Sequence, residues 1–383
     1  MVKTSTYQQC TTCVMDTTDS GITFDEAGVC NHCRGFEEMM TQNVFSGKAG
    51  EEKIEQMLSD IRATAKRKKS TYDCILGVSG GVDSTYMAYL AHQWGLNPLV
   101  IHLDNGWNSE IATQNINRII DKTEFDLYTH VINWEEFRDL QLSFLKASVV
   151  DLELTSDHAI FSLIYKIARK YNISYLLSGF NVVTEGILPK SWRWSKMDWL
   201  NIKDIHSKFG TVPLNTFPRI SFTKKFYYDQ VLKLKSLRPL NYLDYNKEEV
   251  KNTIQEYFGW QDYGGKHYES VITRFYQGYI LPEKFNIDKR KAHLSTLINS
   301  GQINKEMALL ELEKPIYDPD LLRVDMDFVL KKFELTKEEF EEIMARPSQP
   351  HTAYASYETA HYKYHEQFFN AIRPIRNLFS GNK

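Results

Sequence analysis

Two groups of residues have types and spacings suited to chemistry. The first is Ser79-Gly80-Gly81-Val82-Asp83-Ser84, which places two glycines, two hydroxyls and a carboxylate in six positions. It lies between the apolar run Cys74 to Val78 and a helix-like segment, Thr85 to Trp94, with Met87, Leu90, Ala91 and Trp94 on one face. Glycines allow close backbone approach to an anion and accept positive φ. Consecutive amides, hydroxyls and a helix N-terminus together form a phosphate-binding nest. The hexapeptide is neither G-x4-G-K-[ST] nor G-x-G-x-x-G. Asp83 would repel phosphate, so its place here implies a magnesium ligand or an acceptor of amide hydrogen bonds. The second group is Cys10, Cys13, Cys30 and Cys33, spaced C-x2-C, sixteen residues, C-x2-C. Four thiolates at this spacing predict a closed structural zinc ribbon with no open coordination position.

The elements that must position these groups alternate along the chain. Glu51 to Lys68 reads as a linking helix, and the run Lys66-Arg67-Lys68-Lys69 complements its C-terminus. Strand-like runs follow at Cys74–Val78, Pro98–Leu103, Leu127–Ile132 and Tyr175–Leu177, the last clear strand. Helical segments separate them at Thr85–Trp94, Ser109–Lys122, about 134–147 and 156–171, the last with Ser156 as expected N-cap. The pattern predicts an α/β fold with a doubly wound parallel sheet. Ligands on such sheets bind beyond the carboxyl ends of strands, where the hexapeptide lies. From about Phe217, charged residues and long helix formers dominate. The expected domains are a zinc ribbon (1–45), an α/β domain (46–215) and a mostly helical C-terminal region (216–383) that meets substrate or partner.

Forty-six basic against forty-nine acidic residues leave a net charge of −3, which gives a nucleic-acid partner no support. No apolar run approaches membrane-span length, and the N-terminus has no signal-like core. A cytoplasmic location is expected, with the five cysteines reduced. Cys74, inside an apolar strand, reads as a small buried hydrophobe.

The hexapeptide resembles the S-G-G-x-D-S pyrophosphate loop of the ATP pyrophosphatase (PP-loop, adenine nucleotide alpha hydrolase-like) superfamily, which cleaves ATP between the α- and β-phosphates. That resemblance implies ATP binding by Ser79, Gly80, Gly81, Val82, Asp83 and Ser84. Ile101, Leu103 and Asp104 take the place of the strand passing adenine, and Gly179 and Asn181 that of a later nucleotide-side loop. Longer stretches, "CTTCVMDTTDSGITFDEAGVCNHC", "GVSGGVDSTYMAYL", "HLDNGWNSE", "GFNVVTEGILPKSW" and "YGGKHYESVITRFYQGYILPEKFNIDKRKAHLSTLINSGQI", resemble the N-acetyl sugar amidotransferases of the WbpG-like group. The resemblance runs from about residue 8 to 320. It implies conversion of an acetamido group on a nucleotide-linked sugar, typically a UDP-diacetamido uronic acid, to acetamidino during O-antigen biosynthesis. ATP, Mg2+ and structural Zn2+ are the implied cofactors. A HisH-like glutaminase and a HisF-like channelling partner are the implied source of ammonia, and Val2 and the cysteine pattern leave no nucleophile for a built-in glutaminase.

Candidate substrate residues are Glu185, Trp192, Arg193, Trp194 and Lys196, then Gly264, Gly265, His267 and Arg274. Aromatic faces and cations suit a sugar diphosphate or uronate, or a surface loop packed on the helical region. Lys266 joins Asp83 as a catalytic candidate, neutralising the β- and γ-phosphates, or is a solvated turn lysine. Asp157 and His158 open a helix, where Asp157 could cap or catalyse. A tRNA-modifying relative, thiolase-like or lysidine-like, is the alternative enzyme; the lack of spare cysteines argues against sulfur insertion. A zinc-ribbon scaffold with a regulatory nucleotide loop is the non-enzyme alternative.

Overall fold

A computed structural model describes residues 7–265 and 268–358. Five parallel strands form one sheet in the order β3-β2-β1-β4-β5: β1 Cys74–Gly77, β2 Pro98–Asp104, β3 Leu127–Val131, β4 Tyr175–Leu177 and β5 Lys235–Leu237. Two helices precede the sheet, α1 (Asn31–Asn43) and α2 (Gly47–Lys68). Between strands run α3 (Val82–Gln93), α4 (Glu110–Thr123), α5 (Trp134–Ala147), α6 (Leu154–Lys170), α7 (Val182–Glu185), α8 (Trp199–Phe209) and α9 (Phe222–Val231). After β5 come α10 (Lys247–Phe258), α11 (Val271–Phe275), α12 (Leu281–Phe285), α13 (Arg290–Asn299), α14 (Lys305–Glu313), α15 (Pro319–Phe333) and α16 (Lys337–Ala345).

Alternate residues of the central strands enter two different cores. Ile75, Leu99, Ile101 and Leu176 pack with α5, α6 and α8, through residues such as Phe137, Leu163 and Ile202. Cys74, Leu76, Val100 and Leu177 pack on the other face with α2, α3, α4 and α10, through Ile61, Met87, Ile116 and Ile254. Both faces of the sheet are therefore covered, as a doubly wound parallel sheet requires. Each fully buried side chain of this kind contributes about 1.5–3 kcal/mol. The four cysteines and Phe36 of α1 belong to the first core, and Val78 and Val82, which flank the glycines of the hexapeptide, to the second.

Three local expectations change. The helix after the hexapeptide starts at Val82 rather than Thr85, so Asp83 and Ser84 lie in its first turn with Gly81 as N-cap. Glu153, not Ser156, caps α6, and the Asp151 carboxylate accepts the Leu154 amide at 3.1 Å. A fifth strand, β5, pairs in parallel with β4 inside the stretch expected to be mostly helical. Among the described residues, no helix is long and apolar enough to cross a membrane.

Candidate active site

The chain runs outward from β1 through β2 to β3, then returns to place β4 on the other side of β1. The loops leaving β1 and β4 therefore diverge side by side, the position at which open α/β sheets bind ligands. Gly80 takes φ 79°, and a Cβ there would lie 2.5 Å from the Ala112 carbonyl oxygen, so glycine is required twice over. Ser84 Oγ receives the Ser79 amide at 3.3 Å and donates to the Gly81 carbonyl at 3.1 Å. Trp260 Nε1 donates to the Gly80 carbonyl at 2.9 Å. Gly179, after β4, lies so close that a Cβ would stand 3.1 Å from the Asp83 carbonyl. Asn181 Nδ2 donates to the Asp83 carboxylate at 3.2 Å, and the Tyr245 hydroxyl donates a short bond to the same oxygen. Burial, and then the Asp83 charge, push the Tyr245 phenol well above its usual range, so it stays a donor. Asp83 thus ties both loops to the segment leading into α10.

A cavity of about 300 Å³ opens on this loop, lined by Ser79, Gly81, Asp83, Ser84, Gly179 and Tyr263 among others. A second cleft of about 740 Å³ adjoins it. The two share Thr184, Glu185, Lys247, Gly264, Gly265 and His293 as common wall. Part of the lining of the larger cleft is ionic. Lys196 Nζ bridges Asp151 at 2.8 Å and Asp157 at 2.9 Å. Burial opposes the Lys196 charge, but Asp157 and Asp151 outweigh it and hold its pKa above the usual lysine value. Burial raises the Asp157 carboxyl, Lys196 pulls it back, and Glu153 and Asp151 repel its charge. Glu153 pairs with Lys289 at 3.2 Å and accepts from Gln277 at 2.8 Å. Gln277 lies in a π-helical turn, Tyr276–Ile280, between α11 and α12; such turns recur at functional sites. The lining also includes the apolar side chains Leu188, Leu294, Leu297, Ile303 and Met307.

Two nearby histidines, His158 and His351, are structural and neutral. His158 Nδ1 faces the Lys196 carbonyl at 2.9 Å, so it carries the proton, and Nε2 accepts the Ile220 amide at 3.3 Å. Burial pushes its pKa down to about 4. His351 is held likewise, with Nε2 accepting the Asp151 amide and Nδ1 donating to Asn201 Oδ1 at 2.8 Å; its pKa is pushed down to about 3.

The four cysteines meet in the first core. Their sulfurs stand 3.8 Å apart for Cys10 and Cys33, and 3.7 Å for Cys13–Cys30 and Cys30–Cys33. A tetrahedral ion with sulfur bonds of about 2.3 Å gives sulfur–sulfur edges of about 3.8 Å. The cluster therefore fits zinc and is far wider than a disulfide. Backbone amides of Cys13 and Cys30 point at Cys10 Sγ at 3.5 and 3.2 Å, and that of Met15 at Cys13 Sγ at 3.4 Å, bonds that favour thiolates.

The structure gathers most of the sequence candidates and separates a few. Ser79, Gly81, Val82, Asp83, Ser84 and Gly179 line the smaller cavity, and Trp192, Arg193, Lys196 and Arg274 the larger; Glu185, Gly264 and Gly265 line both. Gly80 shapes the loop from behind, and Asn181 acts through Asp83. Ile101 and Leu103 are buried strand residues, and Asp104 accepts the Gly106 amide; none of these three lines either cavity. Trp194 also lies off the cleft, stacked on His351 with ring centroids 5.0 Å apart and donating to Asp198. Arg274 is committed to Asp325 through two bonds of 2.6 and 2.8 Å. Arg193 has no partner among the described residues. Lys266 and His267 lie outside the described residues. Tyr245, Tyr263, Lys247, Asp151 and Glu153 had no signature of spacing; they arrive from separate elements.

Residues 269–369 match the family model described as LPS biosynthesis protein WbpG-like, C-terminal domain. That stretch is similar to a WbpG-like C-terminal domain, and it supplies Arg274, Gln277, Lys289, His293, Leu294, Leu297, Ile303 and Met307 to the larger cleft. No curated protein matches the chain. Among solved structures, the chain is similar to NMN synthetase from Francisella tularensis, with 15% identity over 60% of this chain and 93% of that one and a TM-score of 0.30. It is also similar to NH3-dependent NAD synthetase from Campylobacter jejuni subsp. jejuni NCTC 11168 in complex with the nitrate ion, with 16% identity, coverage of 74% and 94% and a TM-score of 0.30. A third, from Methanocaldococcus jannaschii DSM, is titled as a predicted subunit of tRNA methyltransferase; identity is 12%, coverage 46% and 72%, and the TM-score 0.25.

Proposed function

We propose that the protein is an ATP-dependent amidotransferase that converts an acetamido group of a nucleotide-linked sugar to acetamidino. The observation that carries this reading is the shared wall: a pyrophosphate-type loop opens directly onto a second, larger cleft built in part by the WbpG-like domain. Two substrates held on either side of Glu185, Gly264 and Gly265 would meet there.

The chemistry needs that juxtaposition. An amide carbonyl is a poor electrophile, and its oxygen a poor leaving group. Attack of that oxygen on the α-phosphorus of ATP forms an O–P bond and releases pyrophosphate. Ammonia then forms the new C–N bond, the C–O bond breaks, AMP departs and a proton is lost. Oriented reactants can supply roughly 7–11 kcal/mol of such a barrier. The amides and hydroxyls of residues 79–84 would hold the departing pyrophosphate. Asp83, Glu185, Asp262 and Glu269 line the loop cavity with oxygen donors of the kind Mg2+ takes. A bound Mg2+ would neutralise charge on the phosphates. Arg193, without a partner among the described residues, suits a diphosphate or uronate. Ammonia comes, on this reading, from a HisH-like glutaminase through a HisF-like partner, in the cytoplasm and for O-antigen assembly.

The test is incubation of purified protein with ATP, Mg2+, ammonium and a UDP-2,3-diacetamido uronic acid. The expected product has NH in place of one amide oxygen, with AMP and pyrophosphate formed in equal amounts. An unchanged sugar under these conditions would overturn the substrate assignment.

A further inference from the structure

The cysteine module touches the larger cleft through buried polar groups that zinc binding alone does not need. Asp19 is 1% exposed and carries no ligand role. Its carboxylate receives Gly21 N at 2.9 Å and pairs with His32 Nε2 at 2.6 Å inside the module. It also accepts Ser191 Oγ at 2.5 Å, and Ser191 immediately precedes Trp192 and Arg193 of the cleft wall. Burial would raise the Asp19 pKa, but the bonds from His32, Ser191 and Gly21 outweigh it and keep the group ionised.

Three further links reach elements that line the same cleft. Asp16, fully buried, pairs with Lys291 Nζ at 2.5 Å, and Val14 N donates to Ser295 Oγ at 3.2 Å. Lys291 and Ser295 lie on α13, whose His293, Leu294 and Leu297 line the cleft. Phe36 of α1 abuts Gly186, where a Cβ would be only 2.7 Å from its ring, and Gly186 follows the shared wall residue Glu185. The pyrophosphate-type loop is anchored differently. Its flanking Val78 and Val82 pack in the opposite core, and Trp260 of that core bonds the Gly80 carbonyl.

We propose that Asp19 is a positioning residue through which the cysteine module sets the Ser191–Arg193 wall of the larger cleft, by a route separate from the contacts that hold the phosphate loop. The inference stands on these contacts and holds whatever substrate the cleft takes.

The test is hydrogen–deuterium exchange on the intact zinc-loaded chain, comparing Asp19→Ala, Ser191→Ala and Ser191→Thr with the parent. Ser191→Ala cuts the link from the cleft side and leaves the module complete. Loss of a charge-assisted buried bond predicts about tenfold faster exchange at residues 187–196 in both alanine variants. The threonine variant, which retains a hydroxyl, returns the segment to near parental exchange. Exchange at residues 78–90 and binding of a non-hydrolysable ATP analogue with Mg2+ stay at parental levels. Unchanged exchange at 187–196 in Ser191→Ala would overturn the proposal, as would an equal rise at 78–90. Should Asp19→Ala fail to fold, the two Ser191 variants decide alone. An inactive parent with this exchange pattern would count against the amidotransferase reading only.

Discussion

Asp83 stands where the two loops meet, held by Asn181 from one side and Tyr245 from the other. Asp83→Ala should reduce ATP turnover by about 10²-fold or more. Tyr245→Phe should retain more activity and cost about 1 kcal/mol of stability, read by urea unfolding. The pH dependence follows from His158 and His351. Both have folded pKa values, about 4 and about 3, below the ordinary value near 6.5, so the unfolded chain binds more protons as acid is added. Full stability is therefore present above pH about 6.5 and declines as pH falls toward 4, by up to about 3 kcal/mol per histidine. Urea midpoints between pH 7 and 4.5 check this, and His158→Gln should flatten the slope. The residue types at 79–84 and the four cysteines were legible in the sequence because each chemistry is written in a few adjacent positions. Tyr245 and Tyr263 were not, since a tyrosine gains its role only from the neighbours that folding supplies.

At the level of elements, β1, β2 and β4 were legible because buried parallel strands read as short apolar runs, and β3 was legible from its sequence although it is an edge strand of exposed and half-buried residues. Lys235-Ser236-Leu237 was not, because an edge strand of three residues buries little and has no such run. The helix after the loop begins earlier than its apolar face suggests because Val82 to Ser84, which line the cavity, make its first turn, where amides have no partner within the helix. Gly80 fixes that geometry. Gly80→Ala should strain φ and push on the Ala112 carbonyl, lowering affinity for ATP at least about tenfold as measured by calorimetry. An equal affinity in that variant would mean that the loop is softer than its packing implies.

For the whole molecule, the sheet carries one core on each face, and the cysteine module belongs to one of them. Metal analysis should find about one zinc per chain, and chelation should lower the melting temperature, because a closed site of four thiolates contributes its binding energy to folding. The joining of two cavities was not legible in the sequence, because their common wall draws Thr184 and Glu185 from α7, Lys247 from α10, Gly264 and Gly265 from a loop and His293 from α13. That junction is the centre of the functional reading, and exchange of labelled pyrophosphate into ATP tests it most directly. With Mg2+ and a UDP-diacetamido uronic acid, and with ammonia withheld, label should enter ATP only when the sugar is present and not in Asp83→Ala. Label entering ATP equally without the sugar, or not at all with it, would contradict a phosphate loop that delivers AMP to an amide oxygen across the shared wall.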